Sequence, residues 1–114
     1  MAWSLDARTP VLLDASPAKG AVWLAEDGAP TPPEAAWVER FATPVPTAHP
    51  IGCACCQPRS GAAVALDRLF LARAKGSAPW FTEVRTLAAT EAGALALRQA
   101  VSEDPVVSAR FRLG

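Results

Sequence analysis

The sequence predicts an α/β domain on three observations. Residues 60–114 read as helix, strand and helix in that order. Residues 1–58 break into short apolar runs separated by prolines. The composition, 51% hydrophobic with 19% charged, is that of a chain that buries a core rather than a disordered one. At 114 residues one domain is expected, with a strand-rich, turn-rich and proline-rich half (1–50) followed by a helical half (51–114). A chain of this size buries roughly two-thirds of the surface its unfolded form exposes, so neither disulfides nor a metal is needed as a staple.

In the first half, Val11-Leu12-Leu13 and Ala21-Val22-Trp23-Leu24-Ala25 are strand-like runs joined through Ser16-Pro17-Ala18-Lys19-Gly20. They suggest a hairpin or two neighbouring strands. Pro30, Pro32 and Pro33 then interrupt the chain, and Ala36, Trp37, Val38 and Phe41 fall close to helical spacing, so a short helix over Glu34 to Phe41 is expected with Pro33 near its first turn. Pro44, Pro46 and Pro50 forbid regular pairing and place the following residues on an extended loop.

The second half is plainer. Ser60 is a good N-cap, Ala62 to Lys75 is rich in helix formers, and Gly76 stands where a helix ends. Ala62, Leu66, Leu69 and Phe70 form the expected buried stripe, with Asp67, Arg68 and Lys75 turned to water. Glu83-Val84-Arg85-Thr86-Leu87-Ala88 reads as a strand, and Thr90 caps a second helix from Glu91 to about Glu103 whose stripe is Ala94, Leu97 and Val101. Pro105 opens a short helical turn through Arg110, ahead of Phe111 to Leu113. The strand between the helices must find its partner in the first half or in a second subunit, so dimerisation is one expected way of completing the sheet.

Eleven basic and eleven acidic residues cancel, so the charge points to neither nucleic acid nor an anionic membrane as partner. The distribution is uneven: residues 1–57 carry three basic against six acidic side chains, net −3, and residues 58–114 carry eight against five, net +3. The opening Met1-Ala2-Trp3-Ser4-Leu5-Asp6 has no basic region followed by an apolar one, and no apolar run approaches the ~18 residues that span a bilayer. The expectation is a cytoplasmic protein.

Cys53, Cys55 and Cys56 are an odd number of thiols within four positions, a poor disulfide framework and a plausible thiolate cluster in a reducing compartment. Gly52 and small Ala54 let the loop turn its sulfurs towards one soft ion. Zinc usually takes four ligands, and His49, the only histidine, completes a Cys₃His set; a three-thiolate site with an open fourth position is the alternative geometry. The cysteines could instead be small buried apolar side chains. Cys53 and Cys56 also form a Cys-x-x-Cys pair, without the βαβ surroundings of a thioredoxin. A cysteine nucleophile with His49 as base lacks an orienting third group, which argues against an enzyme. Trp3, Trp23, Trp37 and Trp80 raise a further reading, an interaction module, with Trp23 and Trp37 expected in the core.

Gly52-Cys53-Ala54-Cys55-Cys56, Arg59, Ala65-Leu66-Asp67-Arg68-Leu69-Phe70, Trp80-Phe81-Thr82-Glu83-Val84 and Asp104-Pro105-Val106-Val107-Ser108-Ala109-Arg110-Phe111-Arg112-Leu113 together resemble the CobW-type GTPases, P-loop proteins linked to metal delivery. The resemblance spans residues 51–114 and implies a small, incomplete P-loop-GTPase-like sheet, a metal loop, and as partner a second copy of the chain or a CobW-type GTPase. The phosphate-binding Gly-x-x-x-x-Gly-Lys-[Ser/Thr] loop is missing. Its nearest counterpart, Asp14-Ala15-Ser16-Pro17-Ala18-Lys19-Gly20, has its only glycine after the lysine and a proline that removes an amide donor, so Lys19 reads as a turn lysine. Arg85-Thr86-Leu87-Ala88-Ala89-Thr90-Glu91-Ala92-Gly93 stands where the family carries Glu-Thr-Thr-Gly-x-x-x-Pro. The expectation is a non-catalytic protein that binds zinc and no nucleotide, or else a remnant acting through protein contacts alone.

Overall fold

The computed structural model describes residues 7–13, 16–43 and 60–114. They form a mixed α/β fold of five strands and three helices: β1 (Thr9–Leu12), β2 (Val22–Glu26), β3 (Trp37–Phe41), α1 (Gly61–Lys75), β4 (Val84–Leu87), α2 (Glu91–Glu103), α3 (Pro105–Arg110) and β5 (Phe111–Leu113). The strands make one sheet in the order β3-β2-β4-β1-β5, and all four pairings are parallel. This is consistent with a small P-loop-like α/β arrangement.

The topology decides which face each connection takes. The steps from β1 to β2 and from β2 to β3 run towards one edge, whereas those from β3 to β4 and from β4 to β5 run towards the other. Right-handed crossovers therefore send the first two connections over one face and the last two over the opposite one. The last two contain α1, α2 and α3, whose Ala62, Ala65, Leu66, Leu69, Leu97, Ala100, Val101 and Val107 pack with Val11, Val22, Leu24, Phe41, Val84 and Phe111 of the strands. The first two contain no helix among the described residues. On that second face Arg85 donates to the Ser16 carbonyl, and Arg40 to the Ala29 carbonyl and the Thr31 hydroxyl. Trp23, paired in register with Arg85, is only 2% exposed there.

Two expectations are corrected. The first two strands do not form a hairpin: β1 and β2 are parallel, with β4 between them. All five β2 residues are buried, the pattern of a strand covered on both faces, and it needs neighbours on both sides. Nor is Glu34 to Phe41 a helix. Glu34 sits at φ 56, outside right-handed helical space, and Trp37–Phe41 pair residue for residue with Val22–Glu26. Five ladder positions and the burial of Phe41 outweigh a weak helical spacing. Trp37 is half-buried rather than enclosed.

The second half follows its expectation closely. The Ser60 hydroxyl accepts the Ala63 amide at the start of α1, and Gly76, at φ 79, returns its amide to the Arg73 carbonyl. Only glycine adopts that left-handed conformation without strain. Thr90 caps α2 by accepting the Gly93 amide, and Asp104 caps α3 by accepting the Val106 and Val107 amides. β4 finds both neighbours, β1 and β2, within the same chain. A second subunit is thus not needed to pair it. No helix among the described residues is long and apolar enough to cross a membrane.

Candidate functional site

In open parallel sheets the crevice for ligands lies outside the carboxyl ends of the strands, where adjacent strands send their connections to opposite faces. Here that condition is met on both sides of β4, against β1 and against β2, and the Thr86 hydroxyl ties β4 to β1 by donating to the Leu12 carbonyl at 2.8 Å. The α2 amino terminus opens directly after β4, and such a terminus is a ready anion site, with free amides and the positive end of the helix dipole.

A side chain of the protein already fills it. Glu26, the last residue of β2, is 4% exposed. Its Oε1 accepts the Ala89 amide at 2.7 Å and the Thr90 amide at 2.9 Å, while Oε2 accepts the Thr90 hydroxyl at 2.8 Å. Burial alone would raise the Glu26 pKa, but the bonds from the Thr90 hydroxyl and the two amides outweigh it and hold the carboxyl below its ordinary value. Gly93 is required by this packing, because a Cβ there would overlap the Glu26 carboxylate. The carboxylate thus occupies the two backbone amides that lead into α2.

The cysteine-bearing loop departs from and returns to the same end of the sheet. β3 ends at Phe41, whose carbonyl accepts the Asp27 amide beyond the carboxyl end of β2 at 2.8 Å. The first residue of α1, Gly61, lies so close to the Ala42 carbonyl that a Cβ would collide with it. The backbones on either side of residues 44–59 are thus in contact, next to the strand that carries Glu26. His49, Cys53, Cys55 and Cys56 themselves lie outside the described residues. Among the described residues no group of three histidine, cysteine, aspartate or glutamate side chains could hold a metal. Lys19 is an exposed turn residue ahead of β2, as expected, though the turn joins no hairpin.

Sequence reasoning missed Glu26 and Thr90 as a unit. They lie 64 positions apart, and only the parallel pairing of β2 with β4 brings them together. Comparisons with family models, curated proteins and solved structures gave no match. The likeness to CobW-type GTPases therefore stands on the residues quoted above.

Proposed function

We propose that this chain is a non-catalytic, cytoplasmic CobW-like protein that binds a thiophilic metal, zinc foremost, through the loop bearing His49, Cys53, Cys55 and Cys56, without hydrolysing a nucleotide. Three thiolates and an imidazole are a donor set that suits zinc in number and softness. The observation that carries the reading is the closure of the loop on the sheet: with Ala42 against Gly61, the metal-ligating residues are tethered at both ends to one point of a rigid scaffold. Such tethering lowers the entropy lost when the ligands gather. The absence of nucleotide chemistry is supported by the Glu26 carboxylate at the α2 amino terminus and by the missing phosphate loop. A homodimer or a CobW-type GTPase is the partner that this reading favours.

The test is elemental analysis of untagged protein, with competition by a chromophoric chelator, on the wild type and on Cys55→Ala. About one zinc per chain or per dimer, lost in the variant, is the expected result. Protein without metal, and with no uptake beyond weak adventitious binding, removes the proposal. Uptake should release protons and weaken as the pH falls, because the thiols must ionise to bind.

A further inference from the structure

The two backbone segments that flank the cysteine loop meet through a contact that only glycine permits. Gly61 is the first residue of α1, and a Cβ there would collide with the Ala42 carbonyl oxygen and stand 3.5 Å from the Ala42 carbonyl carbon and amide nitrogen. Backbone conformation does not call for glycine at this position: Gly20, Gly28 and Gly76 take a positive φ, and Gly61 does not. Nor does the helix, which alanine favours more than glycine. The close approach of the two backbones is what excludes a side chain.

Neither backbone is free to yield. On one side, α1 lies close against the sheet through Ala62, Ala63 and Ala65, each at most 1% exposed. Arg68 of the same helix donates to the Glu39 carboxylate at 3.0 Å and to the Arg40 carbonyl at 3.1 Å. On the other side, the Phe41 carbonyl accepts the Asp27 amide at 2.8 Å, and the Arg40 guanidinium donates to the Glu26 and Ala29 carbonyls at 3.1 and 2.7 Å. The end of β3 is thus fixed to β2, and α1 is fixed to β3. A methyl group at residue 61 must push one flank of the loop away from the other, because a backbone carbonyl cannot turn aside as the tip of a side chain does.

We propose that Gly61 is a positioning residue for the metal-binding loop: its missing side chain lets the chain leave β3 and enter α1 at one point, and that spacing sets how tightly His49, Cys53, Cys55 and Cys56 hold zinc. The inference rests on the metal reading of those four residues. Flanks that touch restrict the conformations of the segment between them before the ion arrives, so less freedom is lost when the ligands converge. A ligand set whose support shifts by about an ångström loses the geometry that the ion requires.

The test is zinc affinity, measured by competition with a chromophoric chelator on the reduced, untagged chain, together with thermal melts of wild type, Gly61→Ala and Val107→Ala. Val107 is fully buried in α3, so its truncation loosens the core without altering the contact at Ala42. Gly61→Ala should bind zinc about tenfold more weakly or worse. Val107→Ala should melt at a lower temperature and still match the wild-type affinity within about twofold. A glycine with a merely structural role would lower the melting temperature and leave the zinc affinity of the folded protein as it was. Unchanged affinity in Gly61→Ala, or an equal loss in both variants, overturns the proposal and leaves the metal reading standing. No zinc uptake by the wild type overturns the metal reading, and this proposal with it. If Gly61→Ala does not fold, Arg68→Met decides the matter, since it removes a side chain that is 53% exposed and ties α1 to the end of β3. Zinc weakened by about threefold or more in that variant supports the proposal, and unchanged affinity overturns it.

Discussion

At the scale of single residues, Glu26 carries the clearest consequence. Removing its side chain by Glu26→Ala leaves the Ala89 and Thr90 amides facing a void in place of a charged acceptor, and should cost about 2–4 kcal/mol in urea unfolding. The sign of its pH dependence follows from the direction of its pKa. A carboxyl held below its ordinary value of 4.5 stabilises the fold above that value, and the contribution disappears as the pH falls through the lower folded value. The difference in unfolding free energy between wild type and Glu26→Gln should therefore be constant above about pH 5.5 and shrink in more acid solution. Gly93→Ala tests the same packing from the other side. Alanine is the better helix former by about 1 kcal/mol, yet its methyl group would displace the Glu26 carboxylate, so a net loss of stability is expected. A gain in stability would show that the carboxylate can move without cost.

At the scale of elements, the two long helices differ in how their caps are supported. Ser60 accepts only the Ala63 amide, whereas Thr90 accepts the Gly93 amide and also donates to Glu26. Ser60→Ala should cost about 1 kcal/mol, as ordinary caps do. Thr90→Ala should cost clearly more, since it also breaks a bond to a buried carboxylate, and thermal melts of the two variants compare them directly. The same elements show what could be read beforehand. Ser60, Gly76, Thr90 and Pro105 mark helix ends through local chemistry, and the helices and the β4 strand stand where those residues place them. Trp37–Phe41 was not legible, because its few apolar positions fit either period and a long-range ladder with β2 decided between them. Ala94, expected in the α2 stripe, is half-buried, while Gly93 and Ala100 lie inside, with the Glu26 carboxylate against Gly93. The cysteine cluster could be read as a motif from its spacing. The Glu26 bridge could not, because it depends on segments that are distant in sequence.

At the scale of the whole molecule, the described residues by themselves supply a five-stranded sheet and a helix-packed core. Stripping metal with a chelator should thus leave the circular dichroism spectrum and a cooperative melt in place, and zinc should raise the midpoint by mass action on the folded state. Loss of structure on chelation would make the ion architectural, in the manner of a zinc finger.

The strand order has a further effect, on the birth of the protein. Among the described residues, β1 hydrogen-bonds only to β4 and β5. While the chain is being synthesised, Thr9–Leu12 must therefore wait, unpaired and apolar, until Val84–Leu87 and then Phe111–Leu113 have left the ribosome. Nothing short of residue 113 can close the sheet, so a nascent chain halted earlier exposes a sticky strand to chaperones and to its neighbours on the same message.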